Sequence, residues 1–285
     1  MTITRSIPES LKPDDGRFGS GPSKIRPEQI AALDAGATTL LGTSHRQAPV
    51  KQLVASIREG LREFFHLPEG YEVALGNGGA SAFWEIACAS LITRRAAFGT
   101  YGSFSAAAPA ANAPFLEDPV LFPGEPGTYR LPELTEGVDT YCWAHNETST
   151  GVAAPIRRVA GSREAGALTV IDGTSAAGAL PVDISQTDVY YFSPQKAFGA
   201  DGGLWVAILS PEAIDRAAGV ESSAHLEGAH RWVPPFLSLT TALNNSRKDQ
   251  TLNTPAVATL IMMENQIRWL NNNGGLAWAT TRCAK

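Results

Sequence analysis

The chain has 285 residues, of which 44% are apolar and 18% are charged. A chain of this length and composition can bury a large core, which excludes a disordered tail and a disulfide-stapled miniprotein. Its 23 Lys and Arg residues are outnumbered by 28 Asp and Glu residues, for a net charge of −5. The sequence therefore lacks the basic footprint of a nucleic-acid-binding protein, and we expect no nucleic-acid partner.

The cysteines and the apolar runs indicate a compartment. Cys88, Cys142 and Cys283 are odd in number and form no CxxC pair, which favours neither a disulfide framework nor a zinc site and is typical of a reducing cytoplasm. No apolar run is long enough to span a membrane, and the first residues lack the apolar centre of a signal peptide. We therefore expect a cytoplasmic protein without a membrane partner.

The chain is predicted to begin with an irregular arm and two helices. Proline and glycine recur through residues 1–26, which predicts an arm rather than a strand or a helix. Arms of this kind often cross to a partner subunit. Apolar residues then recur at helical spacing in residues 27–40 and 49–65, which predicts two amphipathic helices.

A strand, a glycine turn and a helix follow at residues 71–75, 76–79 and 80–91. Further short apolar runs predict strands at residues 96–98, 140–144, 168–171, 189–192 and 204–209. Because helical or mixed stretches separate these runs, the pattern predicts an α/β fold with a mostly parallel sheet flanked by helices. Polar or glycine residues follow the strands, so we expect one ligand site at the carboxyl ends of the sheet.

One of these strand ends carries a lysine. Lys196 follows the apolar strand at 189–192 and precedes a glycine-rich turn at 199–203. Burial at such a position lowers the pKa of an amine, as formation of an imine requires. This segment alone leaves open the alternative of a surface lysine after a buried strand.

Asp172 strengthens the first interpretation. It ends the strand at 168–171 and lies 24 positions before Lys196, the length of one helical crossover. A carboxylate there can pair with the protonated pyridine nitrogen of pyridoxal phosphate while the lysine holds the aldehyde of the same ring. Taken alone, Asp172 is equally explained as a helix cap for residues 173–175.

The turn before the helix at 80–91 is a candidate phosphate site. Its glycines lie directly after a strand, where the free backbone N–H groups of a helix start can hold an anion. The turn does not match the dinucleotide fingerprint, because Ser81 stands where a third glycine is needed. A nicotinamide cofactor is therefore disfavoured.

Hydroxyls and an aromatic ring complete the candidate set. Residues 146–151, Asn-Glu-Thr-Ser-Thr-Gly, follow a strand and offer hydroxyls to a phenolic ring oxygen, although a polar loop with an N-cap threonine is the commoner use. Phe104 can stack on an aromatic cofactor, although most phenylalanines at such positions belong to the core.

Together, these motifs resemble one family, the phosphoserine aminotransferases, which are pyridoxal-phosphate enzymes of class V and fold type I in serine biosynthesis. The resemblance rests on ordered motifs over most of the chain: FGSGPS at 18–23, SHR at 44–46, GGA at 78–80, NET at 146–148, QK at 195–196 and QTLNTP at 250–255. Residues 230–234 and 244–246 are similar to the actinobacterial branch.

The resemblance implies a role in cofactor binding for individual residues. Lys196 would be joined to the aldehyde of pyridoxal 5'-phosphate, and Asp172 would bind its pyridine nitrogen. Phe104 would stack on the ring, where relatives often have tryptophan. The cofactor phosphate would be held by Gln195 and by the residues at the helix start, namely Gly79, Ala80 and Ser81.

The resemblance also implies contacts at the edge of the site. Thr148 would bond the ring hydroxyl, with Thr150 as the alternative. Asn253 and Thr254 would reach the cofactor phosphate of the neighbouring subunit, which implies a homodimer with shared active sites.

The implied substrate contacts are less complete. His45 and Arg46 would bind the distal phosphate or carboxylate of the substrate, for which a planar guanidinium is suited. Ala80 stands where some relatives have an arginine, so Arg231 is a further candidate for this anion. His225, Glu227 and His230 fit no metal-ligand spacing well, so we expect a solvated loop and no metal.

The activity implied by the resemblance is transamination between L-glutamate and 3-phosphonooxypyruvate, with 4-phosphohydroxy-L-threonine as a possible second amino compound. The alternatives are another class V aminotransferase, a desulfurase, and a pyridoxal-phosphate-binding protein without full activity. A desulfurase needs a mobile nucleophilic cysteine, and neither Cys88 nor Cys142 lies in a predicted loop.

The resemblance further predicts three segments. Residues 1–26 would be the arm, residues 27–270 the large cofactor-binding domain, and residues 271–285 the start of a small C-terminal domain that is otherwise absent. That small domain normally carries the arginine for the substrate's α-carboxylate, so we assign no residue to this role.

Overall fold

The computed structural model describes residues 6–13, 15–17, 19–111, 113–224 and 231–285. Its α-helices are α1 (Pro27–Gly36), α2 (Ala48–Phe64), α3 (Ala80–Ser90), α4 (Ser103–Ala107), α5 (Pro211–Ser223), α6 (Leu239–Ser246), α7 (Val257–Asn272) and α8 (Gly275–Cys283). Its strands are β1 (Glu72–Asn77), β2 (Ala96–Thr100), β3 (Val120–Pro123), β4 (Thr140–Ala144), β5 (Asn146–Glu147), β6 (Val152–Ala153), β7 (Leu168–Asp172), β8 (Val189–Phe192) and β9 (Leu204–Leu209).

The main sheet has the strand order β1-β9-β8-β7-β4-β2-β3, and β5 and β6 form a separate short hairpin. All neighbours from β8 to β3 pair in parallel, whereas β9 is antiparallel to both β8 and β1. This topology confirms the predicted mostly parallel sheet. Its parallel strands bring the residues after β2, β4, β7 and β8 to one edge of the sheet, where ligands bind in open α/β folds.

The sheet is covered by helices on both faces. The even-numbered residues of β9 join a core that includes α2, α7 and α8, and its odd-numbered residues join a core that includes α3, α5 and α6. Because both faces are buried, each residue of β9 is apolar and inaccessible to solvent, which explains why this strand is a continuous apolar run in the sequence.

Three segments differ from the predicted elements. Helix α1 ends at Gly36, four residues earlier than expected, and turns follow it. The sequence did not predict β3, because only Phe122 of this short edge strand is buried. Beyond residue 270, α8 forms and buries Leu276 and Ala279 against the core that includes α2 and α7. The predicted domain boundary at residue 271 stays a prediction.

The N-terminal arm is irregular where it is described, apart from one 3-10 turn at Glu9–Leu11. Within the described ranges, no helix is both long and apolar enough to cross a membrane. The residues weighed as metal ligands, His225, Glu227 and His230, lie outside the described residues.

Candidate active site

Asp172 is the last residue of β7, at the carboxyl edge of the sheet. Its Oδ1 accepts hydrogen bonds from the backbone N–H of Thr174 at 2.9 Å and from Thr174 Oγ1 at 2.5 Å, and the indole Nε1 of Trp84 lies 3.5 Å from its Oδ2. Asp172 therefore does cap the following turn, as the alternative interpretation held, and it also lines a cleft together with Trp84.

The electrostatic setting of Asp172 favours a cationic partner. Burial raises the pKa of this carboxyl, and hydrogen bonds from Thr174, Trp84 and Tyr191 partly offset the shift. A positive charge beside the carboxylate would recover free energy that burial costs. A protonated ring nitrogen meets that requirement.

Asp172 and Phe104 line the same cleft, which has about 480 Å³ of empty space including its open mouth. The cleft walls also include Trp84, Trp143 and Tyr191. Phe104 is 49% exposed, so its ring does not serve only as core. A half-exposed aromatic ring at the mouth of a cleft offers a flat apolar surface on which another ring can stack.

Lys196 and Gln195 lie in the turn after β8, which is the strand next to β7 in the sheet. Lys196 Nζ donates a hydrogen bond to the backbone oxygen of Ser20, and the Ser23 N–H donates to the Gln195 backbone oxygen at 2.7 Å. The N-terminal arm thus crosses directly over the lysine. Burial lowers the pKa of Lys196, as predicted for an imine-forming amine.

Gln195 supports a ligand at this turn. Its side-chain Oε1 is buried and has no hydrogen-bond partner among the described residues. A buried amide oxygen without a partner is costly, so a bound group that donates to it or repositions it is expected.

The start of α3 leaves room for an anion. Gly78 has a φ of +118°, and Gly79 is the N-cap of α3. A Cβ placed on Gly79 would meet no atom within 4 Å. The backbone N–H groups of Ala80 and Ser81 lie in the first turn, where an α-helix supplies no internal acceptors.

The turn between β5 and β6 holds Thr148 and Thr150. Thr150 Oγ1 donates a hydrogen bond to the backbone oxygen of Tyr101 at 3.3 Å. Ser175 Oγ donates to Asn146 Oδ1 at 2.8 Å, which ties the same segment to the turn after β7. Because Thr150 already bonds the protein, the geometry favours Thr148 as the hydroxyl for a ligand.

His45 and Thr254 form a second polar cluster beside the end of β1. Thr254 Oγ1 lies 3.2 Å from His45 Nδ1, and the Asn77 side chain contacts the backbone of both Asn253 and Thr254. His45 is buried and its Nε2 has no partner among the described residues, whereas Arg46 is exposed. Burial, followed by the charge of Arg46, lowers the pKa of His45.

Arg231 lies elsewhere and corrects one prediction. Its guanidinium donates to the backbone oxygens of Cys88, Ala89, Ile92 and Thr93, at the carboxyl end of α3. The candidate phosphate site is at the other end of this helix. Arg231 therefore neutralises the negative end of α3 and does not help to bind a substrate anion.

The structure also argues against a nucleophilic cysteine. Cys88 and Cys142 are both buried, and burial raises the thiol pKa of Cys88 to about 11 and that of Cys142 well above its ordinary value. Neither forms a thiolate readily, so neither is suited to be the nucleophile of a desulfurase.

Sequence reasoning missed one residue of the site. Glu147 is completely buried and its carboxylate accepts hydrogen bonds from the loop that carries Phe104. The sequence showed this glutamate only as part of a polar loop, because its partners in the Phe104 loop lie more than 40 positions away.

The fold and the site agree with a comparison against known families. A model of the aminotransferase class-V family matches residues 18–283. The chain therefore belongs to the class V aminotransferase family, which confirms the predicted family and fold class.

Individual relatives narrow this class. The "Putative phosphoserine aminotransferase" of Mycobacterium leprae (strain TN) is 55% identical over 286 residues, covering 100% of this chain and 74% of the relative. The "Phosphoserine aminotransferase" of Rhodococcus opacus (strain B4) is 54% identical with the same coverage. Within the class V family, the chain thus groups with phosphoserine aminotransferases, as its motifs predicted.

Solved structures share the fold at lower identity. A phosphoserine aminotransferase from Cytophaga hutchinsonii aligns with a TM-score of 0.78 at 22% identity, covering 92% of this chain and 72% of that one. A ureidoglycine-glyoxylate aminotransferase from Bacillus subtilis aligns with a TM-score of 0.74 at 16% identity, covering 92% of this chain and 67% of that one. The fold alone therefore does not select the substrate.

Proposed function

We propose that this chain transfers the amino group of L-glutamate to 3-phosphonooxypyruvate, giving O-phospho-L-serine and 2-oxoglutarate, with pyridoxal 5'-phosphate as cofactor. One observation carries the proposal. Asp172 ends β7, Lys196 follows the adjacent parallel strand β8, and Asp172 shares its cleft with the exposed ring of Phe104. The names of the curated relatives support the substrate.

The residues present fit pyridoxal phosphate. Asp172 offers a partly buried carboxylate to the pyridine nitrogen, Phe104 offers a stacking surface, and Thr148 offers a hydroxyl to the ring oxygen. The open start of α3 supports a phosphate at its first backbone N–H groups. The side-chain amide nitrogen of Gln195 would be a further donor to that phosphate. When bound, pyridoxal phosphate supplies an aldehyde for the amino group and a ring that accepts electrons from the substrate Cα.

Lys196 performs the proton transfers in this proposal. Its amine would hold the cofactor aldehyde, and once it is free, Nζ would accept the proton from the substrate Cα. The depressed pKa of Lys196 favours its neutral form, which is the form that can accept this proton. Asp172 would stabilise a proton on the ring nitrogen.

His45 and Arg46 would bind the distal phosphate of the substrate. In the tautomer whose Nδ1 accepts from Thr254, the neutral imidazole carries its proton on Nε2, which would donate to an anion. The exposed guanidinium of Arg46 adds a bidentate donor beside it.

The proposal includes a homodimer and a cytoplasmic location. Asn253 and Thr254 are exposed in the single chain, so they are accessible to a second copy, and their side chains would contact the cofactor phosphate bound by that copy. Sedimentation of the holoenzyme as a dimer would support this arrangement, and a monomer with full activity would contradict it. The free cysteines favour a reducing compartment.

A second candidate is another class V aminotransferase reaction, which the shared fold of the ureidoglycine-glyoxylate aminotransferase keeps open. A chain that binds the cofactor without full activity is the third. An assay of amino transfer from glutamate separates them when 3-phosphonooxypyruvate is compared with pyruvate, glyoxylate and oxaloacetate.

We expect kcat/KM for 3-phosphonooxypyruvate to exceed that for the phosphate-free acids by at least about 10²-fold. Without the phosphate, the side chains that bind it would be left without a partner. Lys196→Ala should lower the rate by about 10⁴-fold. Lys248→Ala, at an exposed lysine, is the matched control and should be unaffected. Equal rates with glyoxylate would favour another class V aminotransferase reaction. Cofactor binding without amino transfer would favour a chain that binds the cofactor without full activity.

A further inference from the structure

Glu147 is a buried carboxylate with no part in the proposed reaction. It is 0% exposed, and its Oε2 accepts a hydrogen bond from the backbone N–H of Ser105 at 2.8 Å. Its Oε1 accepts from the backbone N–H groups of Phe104 at 3.4 Å and Ser149 at 3.1 Å, and from Ser149 Oγ at 2.8 Å. One carboxylate therefore holds two loops together.

The two loops are those that carry Phe104 and Thr148. Two further hydrogen bonds join these loops in addition to those of Glu147. Ser149 Oγ accepts from the Ser103 backbone N–H at 2.9 Å, and Thr150 Oγ1 donates to the backbone oxygen of Tyr101. The residues on both sides of Thr148 are thus fixed to the start of α4. Phe104 is the second residue of that helix, and its backbone N–H is one of the groups that Glu147 binds.

The close approach of the loops is built into the sequence at Gly102. A Cβ at this position would lie 2.2 Å from Glu147 Cγ and 2.6 Å from Ser149 Oγ. Gly102 has an extended backbone, so only the lack of space excludes a side chain there.

The environment of Glu147 keeps the carboxylate charged. Burial favours the neutral acid, but the hydrogen bonds from Ser105 and Ser149 outweigh it, and the pKa of Glu147 is lowered overall. Hydrogen bonds to an ionised acceptor are roughly twice as strong as those between neutral groups. The charge therefore strengthens the contact between the loops.

We propose that Glu147 is a positioning residue for the cofactor, which sets the ring of Phe104 and the hydroxyl of Thr148 at a fixed separation through its bonds to the two loops. This inference rests on the proposed function, because it assumes that Phe104 and Thr148 contact pyridoxal phosphate. Glu147 itself would touch neither cofactor nor substrate.

A double-mutant cycle on the full chain tests this role, with the Kd for pyridoxal phosphate as the measurement. Glu147→Gln keeps the shape of the side chain but turns one acceptor into a donor that faces backbone N–H groups. We expect it to raise Kd about tenfold, equivalent to about 1.4 kcal/mol. In a Phe104→Ala background the same substitution should raise Kd less than about threefold, because the ring that Glu147 positions is gone.

Glu69→Gln, at an exposed glutamate before β1, is the control and should leave Kd unchanged. If Glu147→Gln does not fold, Ser149→Ala removes part of the same network and should show a smaller loss of affinity that also disappears in the Phe104→Ala background. Amide hydrogen exchange of the cofactor-free chain provides a second measurement, and the Phe104 and Ser105 N–H groups should lose protection in Glu147→Gln.

A loss of affinity that is equally large with and without the Phe104 ring would overturn the positioning role, since a purely structural residue acts independently of that ring. Unchanged affinity in Glu147→Gln would overturn it as well. In either case normal binding by the unaltered chain would leave the proposed function intact. A wild-type chain that binds no pyridoxal phosphate would contradict both.

Discussion

The two ends of the sheet use aspartates in opposite ways. At the amino end, Asp188 precedes β8 and accepts hydrogen bonds from both terminal nitrogens of Arg158, from the Thr169 backbone N–H at 2.7 Å and from Ser210 Oγ at 3.2 Å. At the carboxyl end, Asp172 has neutral donors only, and no cation pairs with it among the described residues.

The same contrast extends to neighbouring groups. Asp139, also at the amino end, accepts from three consecutive backbone N–H groups, those of Thr93, Arg94 and Arg95. At the carboxyl end, Gln195 Oε1 is buried without a partner among the described residues. Asp139 and Asp188 are thus satisfied by the protein itself, whereas Asp172 and Gln195 are left with capacity for a ligand.

The largest effects are expected when Asp172 and Asp188 are each replaced by asparagine. One replacement should affect the reaction and the other the stability of the fold. Asp172→Asn should lower kcat by about 10²- to 10³-fold, because the ring nitrogen loses its charged partner. Asp188→Asn should instead lower the free energy of unfolding by about 3 kcal/mol, because Arg158 is left unpaired in a buried site. Steady-state kinetics and urea unfolding measure the two effects.

The sign for Asp172 follows from its pKa. Because the folded chain raises this pKa, the carboxyl stabilises the cofactor-free fold at low pH and loses that contribution as the pH rises through the raised value. At neutral pH a neutral asparagine should therefore leave the stability of the cofactor-free chain unchanged or higher. A loss as large as that in Asp188→Asn would contradict the contrast between the two ends.

His145 lies at the carboxyl end of the sheet but has a hydrogen-bond partner within the protein. It therefore tests whether such a group contributes to stability, as the aspartates at the amino end do. It is buried after β4, its Nδ1 lies 3.1 Å from the Tyr190 hydroxyl, and burial lowers its pKa to about 4. The neutral ring therefore stabilises the fold above its ordinary pKa of 6.5, and this contribution of up to about 3 kcal/mol is lost as the pH falls toward 4.

His145→Asn should accordingly flatten the loss of unfolding free energy between pH 6.5 and 4, as measured by urea unfolding. His66→Asn is the control, because His66 is exposed and asparagine tolerates its φ of +49°. If both variants retain the wild-type pH dependence, His145 is not the group that titrates.

A smaller effect is expected where the arm crosses Lys196. Gly21 has a φ of +130°, and a Cβ there would lie 2.7 Å from Lys196 Cδ and 2.8 Å from its Nζ. Gly21→Ala should therefore displace the arm or the lysine and weaken cofactor binding about tenfold. Gly19→Ala, whose Cβ would have no neighbour closer than 3.9 Å, should bind normally in the same absorbance titration.

The sequence predicted the position of those candidate residues that lie at the ends of strands. Asp172 and Lys196 are of this kind, because a short apolar run marks each strand and the polar residue comes directly after it. The open start of α3 was equally visible, since a glycine turn separates a strand from a helix.

Residues whose partners are distant in sequence were not predictable. Glu147 binds N–H groups that lie 42 and 43 positions away, and no local pattern announces that contact. Arg231 has the charge of an anion-binding residue, but its guanidinium caps α3. The sequence did not reveal this cap, because the carbonyl partners of Arg231 lie about 140 positions away. The edge strand β3 was missed for another reason: its apolar residues, 120–122, lie between two prolines, which are typical of a loop or an edge strand.

The most direct test of the central claim is to identify the residue that holds the cofactor. The full chain is mixed with pyridoxal 5'-phosphate, reduced with borohydride and digested, and the labelled peptide is identified by mass spectrometry. Labelling of Lys196 alone, lost in the Lys196→Ala variant, is the predicted result. Labelling of a different lysine, or no labelled peptide at a cofactor concentration that saturates related enzymes, would contradict it.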